Sequence, residues 1–462
     1  MAIRACRLLL FVILAALLFS ACGTSTPAAS PTVNPPTRTV TASPTRTPTP
    51  VATLNIEALR GINIQIWHAF VGGADIVFAS QMDRFNSENE WGITVSQKSY
   101  GDQTTFYEAV NAALESGAPP DLVAALPEQT LEWDASTKVV DLSPYLIHPD
   151  WGMPDGLVAD FEPVFWAQDN LDGRQIGVPA QRSARFLFYN QTWAHELGFT
   201  HPPTTADEFR QQACAANASF RTDRSPQNDG YGGWIVDPDW QTTFAWLLAF
   251  GGGVLAGDTY GFRTDPNLAA LQFLKSLFDD HCAWLSTGPT PYDAFAGRFA
   301  LFVSGDLAEL PIAAESMSRL QNSDEWALLA FPGSAGSVLV AYGPSYSVLR
   351  STPDKQLAAW LFIRWLLSPE NQSQWVDSTG LFPLLRSEIE QVGPTGSAFP
   401  QWEAAVGDLS LLQGVPQLPS WRIVRYVLED GTRIIFQNDL PLEEIPTLLI
   451  EMDSTAKDLS EK

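Results

Sequence analysis

The sequence predicts an α/β protein of two domains, and three observations carry that expectation. From about Gly61 to Lys462 the composition is apolar and aromatic with ordinary charge density, and about 400 residues exceed what one hydrophobic core supports. Short β-like runs alternate there with amphipathic helical stretches, the pattern of βα units and largely parallel sheets. Ahead of them, Gly23 to Thr53 is almost entirely Thr, Ser, Pro, Ala and Val, which buries no core, so folding begins near Gly61.

At the amino end, Arg4 and Arg7 precede an apolar run from Leu8 to Phe19 that closes in Ser20-Ala21-Cys22. The run is short for a membrane span and has the charged, apolar and small-residue zones of a secretory leader. A cysteine directly after two small residues resembles a bacterial lipoprotein signal, with Phe19 where Leu is usual. The expectation is a leader over residues 1–21, a lipidated Cys22, a tether over 22–60, and a folded part outside the cytoplasm, held to the membrane by its lipid. At a polyproline-like rise the tether reaches at most about 100 Å.

Asn63 to Trp67 reads as the first strand, and Phe78, Met82 and Phe85 mark the helix after it. Ile93 to Gln97 is a second strand, Tyr107 to Glu115 a helix and Asp121 to Ala125 a third strand. The loops that leave these strands, His68 to Gly73 and Leu126 to Thr130, face the crevice where open α/β sheets bind ligands. Further on, Thr204-Thr205 followed by Asp207 and Glu208 caps a helix, its acids near the positive end. Thr352-Pro353-Asp354 starts another, whose apolar face holds Leu357, Trp360, Leu361, Ile363 and Leu367. Trp360 is therefore a core residue.

A net charge of −25 with no basic block argues against nucleic acid as partner. With Cys6 in the leader and Cys22 lipidated, Cys214 and Cys282 remain, and an oxidising compartment favours one disulfide between them. The five histidines are scattered without ligand spacing, so no metal or other cofactor is expected. Sixteen tryptophans exceed what a core needs, and Trp67, Trp234, Trp240 and Trp421 lie beside loops rich in Gly, Pro and Asp. These four are candidates to stack on the apolar faces of a sugar ring.

A series of short motifs then occurs in a telling order: Trp67-His68-Ala69-Phe70, Gly117-Ala118-Pro119-Pro120-Asp121, Gly177-Val178-Pro179, Tyr189-Asn190, Pro202-Pro203-Thr204-Thr205, Ala358-Ala359-Trp360 and Thr379-Gly380-Leu381-Phe382-Pro383. Over nearly all of Gly61 to Lys462 the chain resembles the family 1 extracellular solute-binding proteins, the maltose-binding type that delivers ligands to ABC importers. It departs from them where Val71-Gly72-Gly73 replaces an acidic contact residue. The resemblance implies a two-lobed periplasmic-binding-protein-like (type II) fold with a ligand cleft between the lobes, and a monomer whose partner is an ABC permease. One lobe would take 61–183 and 338–372, the other 184–337 and 373–462. It adds His68, Phe70, Glu128, Tyr189, Tyr342 and Tyr346 to the ligand candidates, Glu128 as acceptor of a sugar hydroxyl and Trp421 as the late stacking ring. Arg182 and Arg185 flank the first crossing between lobes, as a fork for a polyhydroxylated or anionic ligand or as a hinge salt bridge.

Catalysis has little support. Gly343-Pro344-Ser345-Tyr346-Ser347 lacks the last glycine of a nucleophile elbow, and no Walker loop or dinucleotide fingerprint occurs. Glu128 with Asp237 or Asp239 can be nominated for a glycosidase, but such acids also bind hydroxyls. The expected function is carbohydrate capture for import, with glycerol phosphate or another polyol derivative as the alternative ligand and an extracytoplasmic hydrolase or sensor as the alternative class.

Overall fold

The computed structural model describes residues 56–286, 291–389 and 399–461. The leader, Cys22 and most of the 22–60 segment lie outside the described residues.

The first sheet has five strands, in the order Thr94–Ser99, Asn63–His68, Leu122–Ala125, Ser345–Val348, Val178–Pro179. Asn63–His68 runs parallel to both neighbours, and its alternation turns Ile64, Ile66 and His68 inward. The helix Gly73–Glu88 covers it with Val77, Phe78 and Phe85. The helix Gln103–Ser116 starts where Asp102 accepts the Thr105 N–H at 2.8 Å and ends at a left-handed Gly117. Pro353–Leu366 is buried along more than the predicted stripe, with Ala358, Ala359 and Phe362 inside as well, and Trp360 Nε1 donates to the Trp151 carbonyl at 2.8 Å.

The second sheet of eight strands is organised around Ser183–Asn190, which is buried at every residue. Gly232–Val236, Ala283–Leu285 and Ala300–Asp306 are parallel, but Ser183–Asn190 runs antiparallel to Ala300–Asp306, Trp326–Leu329 and Ser337–Tyr342. This sheet is mixed, not largely parallel as expected. Ser183–Asn190 comes straight from the other lobe without a crossover helix, so nothing obliges it to run with its neighbours. Behind the sheet, Trp240–Ala249 is apolar nearly all round and buried, and a disulfide joins Cys214 to Cys282 across a Cα–Cα distance of 4.6 Å.

Two crossings lie side by side. The chain leaves the first sheet after Val178–Pro179 and returns at Gly343-Pro344, so that Tyr342 pairs with Ser183 in one sheet and Ser345 with Pro179 in the other. Gly343 is required there: its φ is +147°, and a Cβ would meet the Gln181 carbonyl oxygen at 2.3 Å. Two boundaries move accordingly. Ser337–Tyr342 pairs within the second sheet, so the return comes later than 338. Pro369–Thr379 packs on Gly73–Glu88, where Gln81 Nε2 donates to the Asn371 carbonyl at 2.8 Å, so residues 373–379 stay with the first sheet.

Candidate ligand cleft

A cavity of about 680 Å³ lies where the crossings meet loops from both sheets, within the roughly 300–1,000 Å³ typical of small-molecule sites. Gln181, Arg182, Ser183, Tyr342 and Gly343 line it from the crossings. The first sheet contributes Phe70, Val71, Gln103 and Glu128, and the second-sheet side contributes Trp240, Gln241, Asp306, Ile312, Trp421 and Arg425. Val71-Gly72-Gly73, where an acidic contact is missing, is explained by close approach. Gly72 has φ +58°, and a Cβ on Gly73 would lie 2.8 Å from the Ser378 carbonyl oxygen, so the loop brings Ser378 and Thr379 to the cavity edge.

Of the residues nominated from sequence, Phe70, Glu128, Arg182, Trp240, Tyr342 and Trp421 meet in this cavity. Five do not. Trp67 is on the outward face of its strand, Nε1 donating to Gln65 Oε1 at 2.6 Å and the ring 4.8 Å from Lys98 Nζ. His68 is buried on the inward face: the Phe70 N–H donates to Nδ1 at 3.2 Å, so the proton sits on Nε2, which donates to Gln97 Oε1 at 2.9 Å. Burial lowers its pKa against the opposing pull of Gln97 and Asp75, keeping it neutral. Tyr189 donates to Gln212 Oε1 at 2.8 Å beneath Phe302, and Trp234 Nε1 donates to Ser304 Oγ at 3.0 Å. Tyr346 is buried beside Phe78.

Trp421, expected outside any packing stripe, opens the short helix Trp421–Val424 and is fully buried. It meets Trp240 edge-on at 5.4 Å and lies stacked 6.3 Å from Tyr260, and its Nε1 has no partner. Its place is both core and cavity wall.

The charged residues are largely consumed by one another. Arg182 and Asp169 are fully buried, with Nη2 to Oδ2 at 3.1 Å. Arg182 also donates to the carbonyls of Phe165, Gln181, Gly343 and Pro344 and to Ser345 Oγ, which leaves only Nε without a partner. Its ion pair lies at the crossings, where the hinge reading puts it, and both terminal nitrogens of its fork are occupied. Arg185 bonds to Asp237. Glu128, in the first turn of Pro127–Ala135, pairs at 2.7 Å with Arg425 from the opposite side of the cleft, and Glu132 one turn on meets Arg422 at 3.3 Å. Tyr107 donates to Glu132 Oε1 at 2.5 Å, and the Arg422 guanidinium lies 4.1 Å from its ring centre.

The two carboxylate–guanidinium pairs bridge the lobes. Glu128→Gln is expected to leave the nearly buried Arg425 uncompensated and to cost the closed form roughly 3 kcal/mol. Small-angle scattering of the unliganded variant should then show a larger radius of gyration; an unchanged scattering curve would mean the pair does not hold the lobes together.

Sequence reasoning missed Gln103, Gln168, Gln181 and Gln241. All four line the cavity, and each presents an Oε1 that is buried without a hydrogen-bond partner. A glutamine carries no spacing signature in a single sequence; only Gln241 and Gln181, next to Trp240 and Arg182, stood beside a nominated residue. Such atoms cost about 1–3 kcal/mol each when left unsatisfied, so four glutamines of this kind along one cavity are more than packing alone explains.

Two α/β lobes, two adjacent crossings and a polar-studded aromatic cavity between them define a ligand-binding protein of the clamshell class. Residues 80–402 match the family model for bacterial extracellular solute-binding proteins, and the chain belongs to that family. The sn-glycerol-3-phosphate-binding periplasmic protein UgpB of Yersinia pestis (strain Antiqua) is 24% identical over 362 residues, 73% of this chain and 77% of the relative. The fold is that of the sugar-binding protein MalE from Xanthomonas citri (TM-score 0.72, 19% identity, 86% of this chain and 97% of that one). It is equally that of the cyclic alpha-maltosyl-1,6-maltose binding protein from Arthrobacter globiformis (TM-score 0.71, 18% identity, 87% and 100%).

Proposed function

We propose that this protein captures a carbohydrate in the interlobe cavity and presents it, lobes closed, to the permease of an ABC importer. One observation carries the ligand class: four glutamines whose Oε1 atoms are buried without a partner line a cavity walled by Phe70, Trp240 and Trp421. Hydroxyl groups satisfy amide oxygens, and the C–H faces of a sugar ring rest against indole. The donors left over, Arg182 Nε, Arg425 Nε and Trp421 Nε1, are single N–H groups suited to hydroxyl or ring oxygens.

Glycerol phosphate is the ligand named for the Yersinia relative. A phosphate is held most strongly by a free guanidinium or ammonium, and here Arg182 is bonded to Asp169 and Arg425 to Glu128. The cavity therefore favours carbohydrate. Binding should quench or shift tryptophan emission, because Trp240 and Trp421 line the cavity. A sugar panel that leaves both emission and melting temperature unchanged, while glycerol 3-phosphate raises the latter, reverses the assignment.

The location outside the cytoplasm follows from the family, and no helix of the described residues is long and apolar enough to cross a membrane. Anchoring rests on Cys22, as a lipid-bearing first residue followed by an extended tether. Cys22→Ser is expected to move the protein from the membrane fraction to the soluble one. Retention in the membrane would assign the anchor to the Leu8–Phe19 run instead.

A further inference from the structure

The cavity's charges are balanced on one side and not on the other. Arg425 answers Glu128 and Arg182 answers Asp169, but Asp306, at the end of Ala300–Asp306, has no cation of its own. Its Oδ1 accepts from Ser183 Oγ and, at 3.0 Å, from the Ala308 N–H, while its Oδ2 takes no hydrogen bond from the described residues. Arg185, its register partner on the next strand, is bonded to Asp237 and donates from Nε to Thr242 Oγ1 at 3.3 Å. That single guanidinium stands among four carboxylates, Asp237, Asp239, Asp306 and Glu309. Glu309 is engaged by the Tyr292 hydroxyl at 2.8 Å and the Asp306 N–H at 2.7 Å.

A second, independent observation points the same way. Gln241 is only 6% exposed, lines the cavity with Asp306, and leaves Oε1 without a partner. It precedes Thr242, to which Arg185 is bonded, so Asp306 and Gln241 belong to a strand and a helix that both meet Arg185. The surroundings of Arg185 thus hold acceptors in excess and net negative charge in a partly desolvated place, and of these groups Asp306 and Gln241 line the cavity. Burial has pushed the Asp306 carboxyl up to about 6, against the pull of Ser183, the Ala308 N–H and Arg185, the direction expected of a buried acid short of a counter-charge. A protonated amine supplies what is missing: positive charge and up to three N–H donors in one small group.

Building on the carbohydrate reading, we propose that the carbohydrate is a basic amino sugar, its ammonium set against Asp306 Oδ2 and Gln241 Oε1. The same ring with an N-acetyl group in place of the free amine loses both the charge and two of the donors. The glycerol-phosphate class is disfavoured twice over, by the lack of a free cation and by this negative wall.

Isothermal titration of the purified full chain at pH 7, with hexose mono- and disaccharides each supplied as neutral, N-acetyl and free-amine forms, tests the proposal. The free amine is expected to bind at least about tenfold tighter than its neutral and acetylated counterparts, the size of one charge-assisted bond in a desolvated site. Asp306→Asn should shrink that gap to less than about threefold, with circular dichroism and melting temperature reporting whether the variant is folded. The three-form comparison on the unaltered protein stands even if it is not. Equal affinity for the three forms, or preference for the neutral one, overturns the amino-sugar proposal and leaves the carbohydrate reading standing. No binding by any sugar in any form overturns both. A gap that survives in folded Asp306→Asn removes Asp306 from its role and overturns the assignment to this wall.

Discussion

Arg182→Met is expected to lose roughly 3–5 kcal/mol of folding stability and, with it, ordered closure of the lobes. Arg182 makes six hydrogen bonds, four of them to backbone carbonyls, and three of those carbonyls belong to the paired crossings themselves. Removing it strands two things at once, the carbonyl of Gly343 and Asp169, whose carboxylate is fully buried, while the Pro344 carbonyl keeps the N–H groups of Ala180 and Gln181. Burial already lifts the Asp169 carboxyl above its ordinary range, and Arg182 and Ser345 are what hold it down. In the variant only the Ser345 hydroxyl remains to hold it down, so the carboxyl stays protonated in the folded state to higher pH. The folded-state value then lies above the unfolded one. The variant is therefore least impaired below the ordinary carboxylate pKa and loses stability as pH rises through the raised value. Denaturant melts at pH 5 and pH 8 should diverge far more for Arg182→Met than for the unaltered protein. Pairing it with Asp169→Leu should recover much of the loss, because the uncompensated charge goes too. Equal loss at both pH values would mean that Asp169 is not the group left behind.

Trp421→Ala is expected to damage both folding and binding, by roughly 3–5 kcal/mol for the truncated buried indole and by loss of one wall of the cavity. From sequence alone the residue reads as a stacking ring that folding could spare. Its full burial against Trp240, Phe244 and Tyr260 makes it as structural as Trp360. Trp421→Phe separates the two roles. The ring keeps most of its packing, but the unpartnered Nε1 is lost, and affinity for the ligand should fall by about 1 kcal/mol, roughly fivefold, if that N–H is used by the ligand. Unchanged affinity in Trp421→Phe at near-normal melting temperature would take the indole N–H out of the site.

The elements that were legible in the sequence are those with a strong local period. Asn63–His68 alternates visibly, Thr205 accepts the Glu208 N–H at 3.2 Å as its motif implies, and the Thr352 start leads to a helix over Pro353–Leu366. The same alternation that located the first strand also decides Trp67 against the cavity, because Ile64, Ile66 and His68 occupy the inward face. Trp234 was misleading for a different reason. Its neighbours Gly232 and Gly233 suggest a loop, but they belong to a fully buried strand, where a Cβ would lie 2.4 Å from the Ala216 carbonyl oxygen and 1.9 Å from that of Cys282. Glycine there permits close backbone packing, which a lone sequence does not distinguish from a turn.

Arg182 was found with both of its roles open, and Glu128 was found without its partner. Whether an arginine holds a ligand or a hinge depends on where Asp169 and the Gly343-Pro344 carbonyls come to rest, and those contacts span 13 to 162 positions of sequence. Glu128 finds its cation 297 positions away. The glutamines were invisible because their significance is an absence of partners, a property of packing alone.

The central claim is that the cavity receives a carbohydrate and not a phosphate ester. Calorimetric titration of the purified protein with a sugar panel, and in parallel with glycerol 3-phosphate and glycerophosphocholine, decides it most directly. The predicted result is saturable one-to-one binding of a sugar, weakened in Gln241→Ala, with no heat from either phosphate. Tight binding of a glycerol phosphate by the unaltered protein, with every sugar silent, would contradict it.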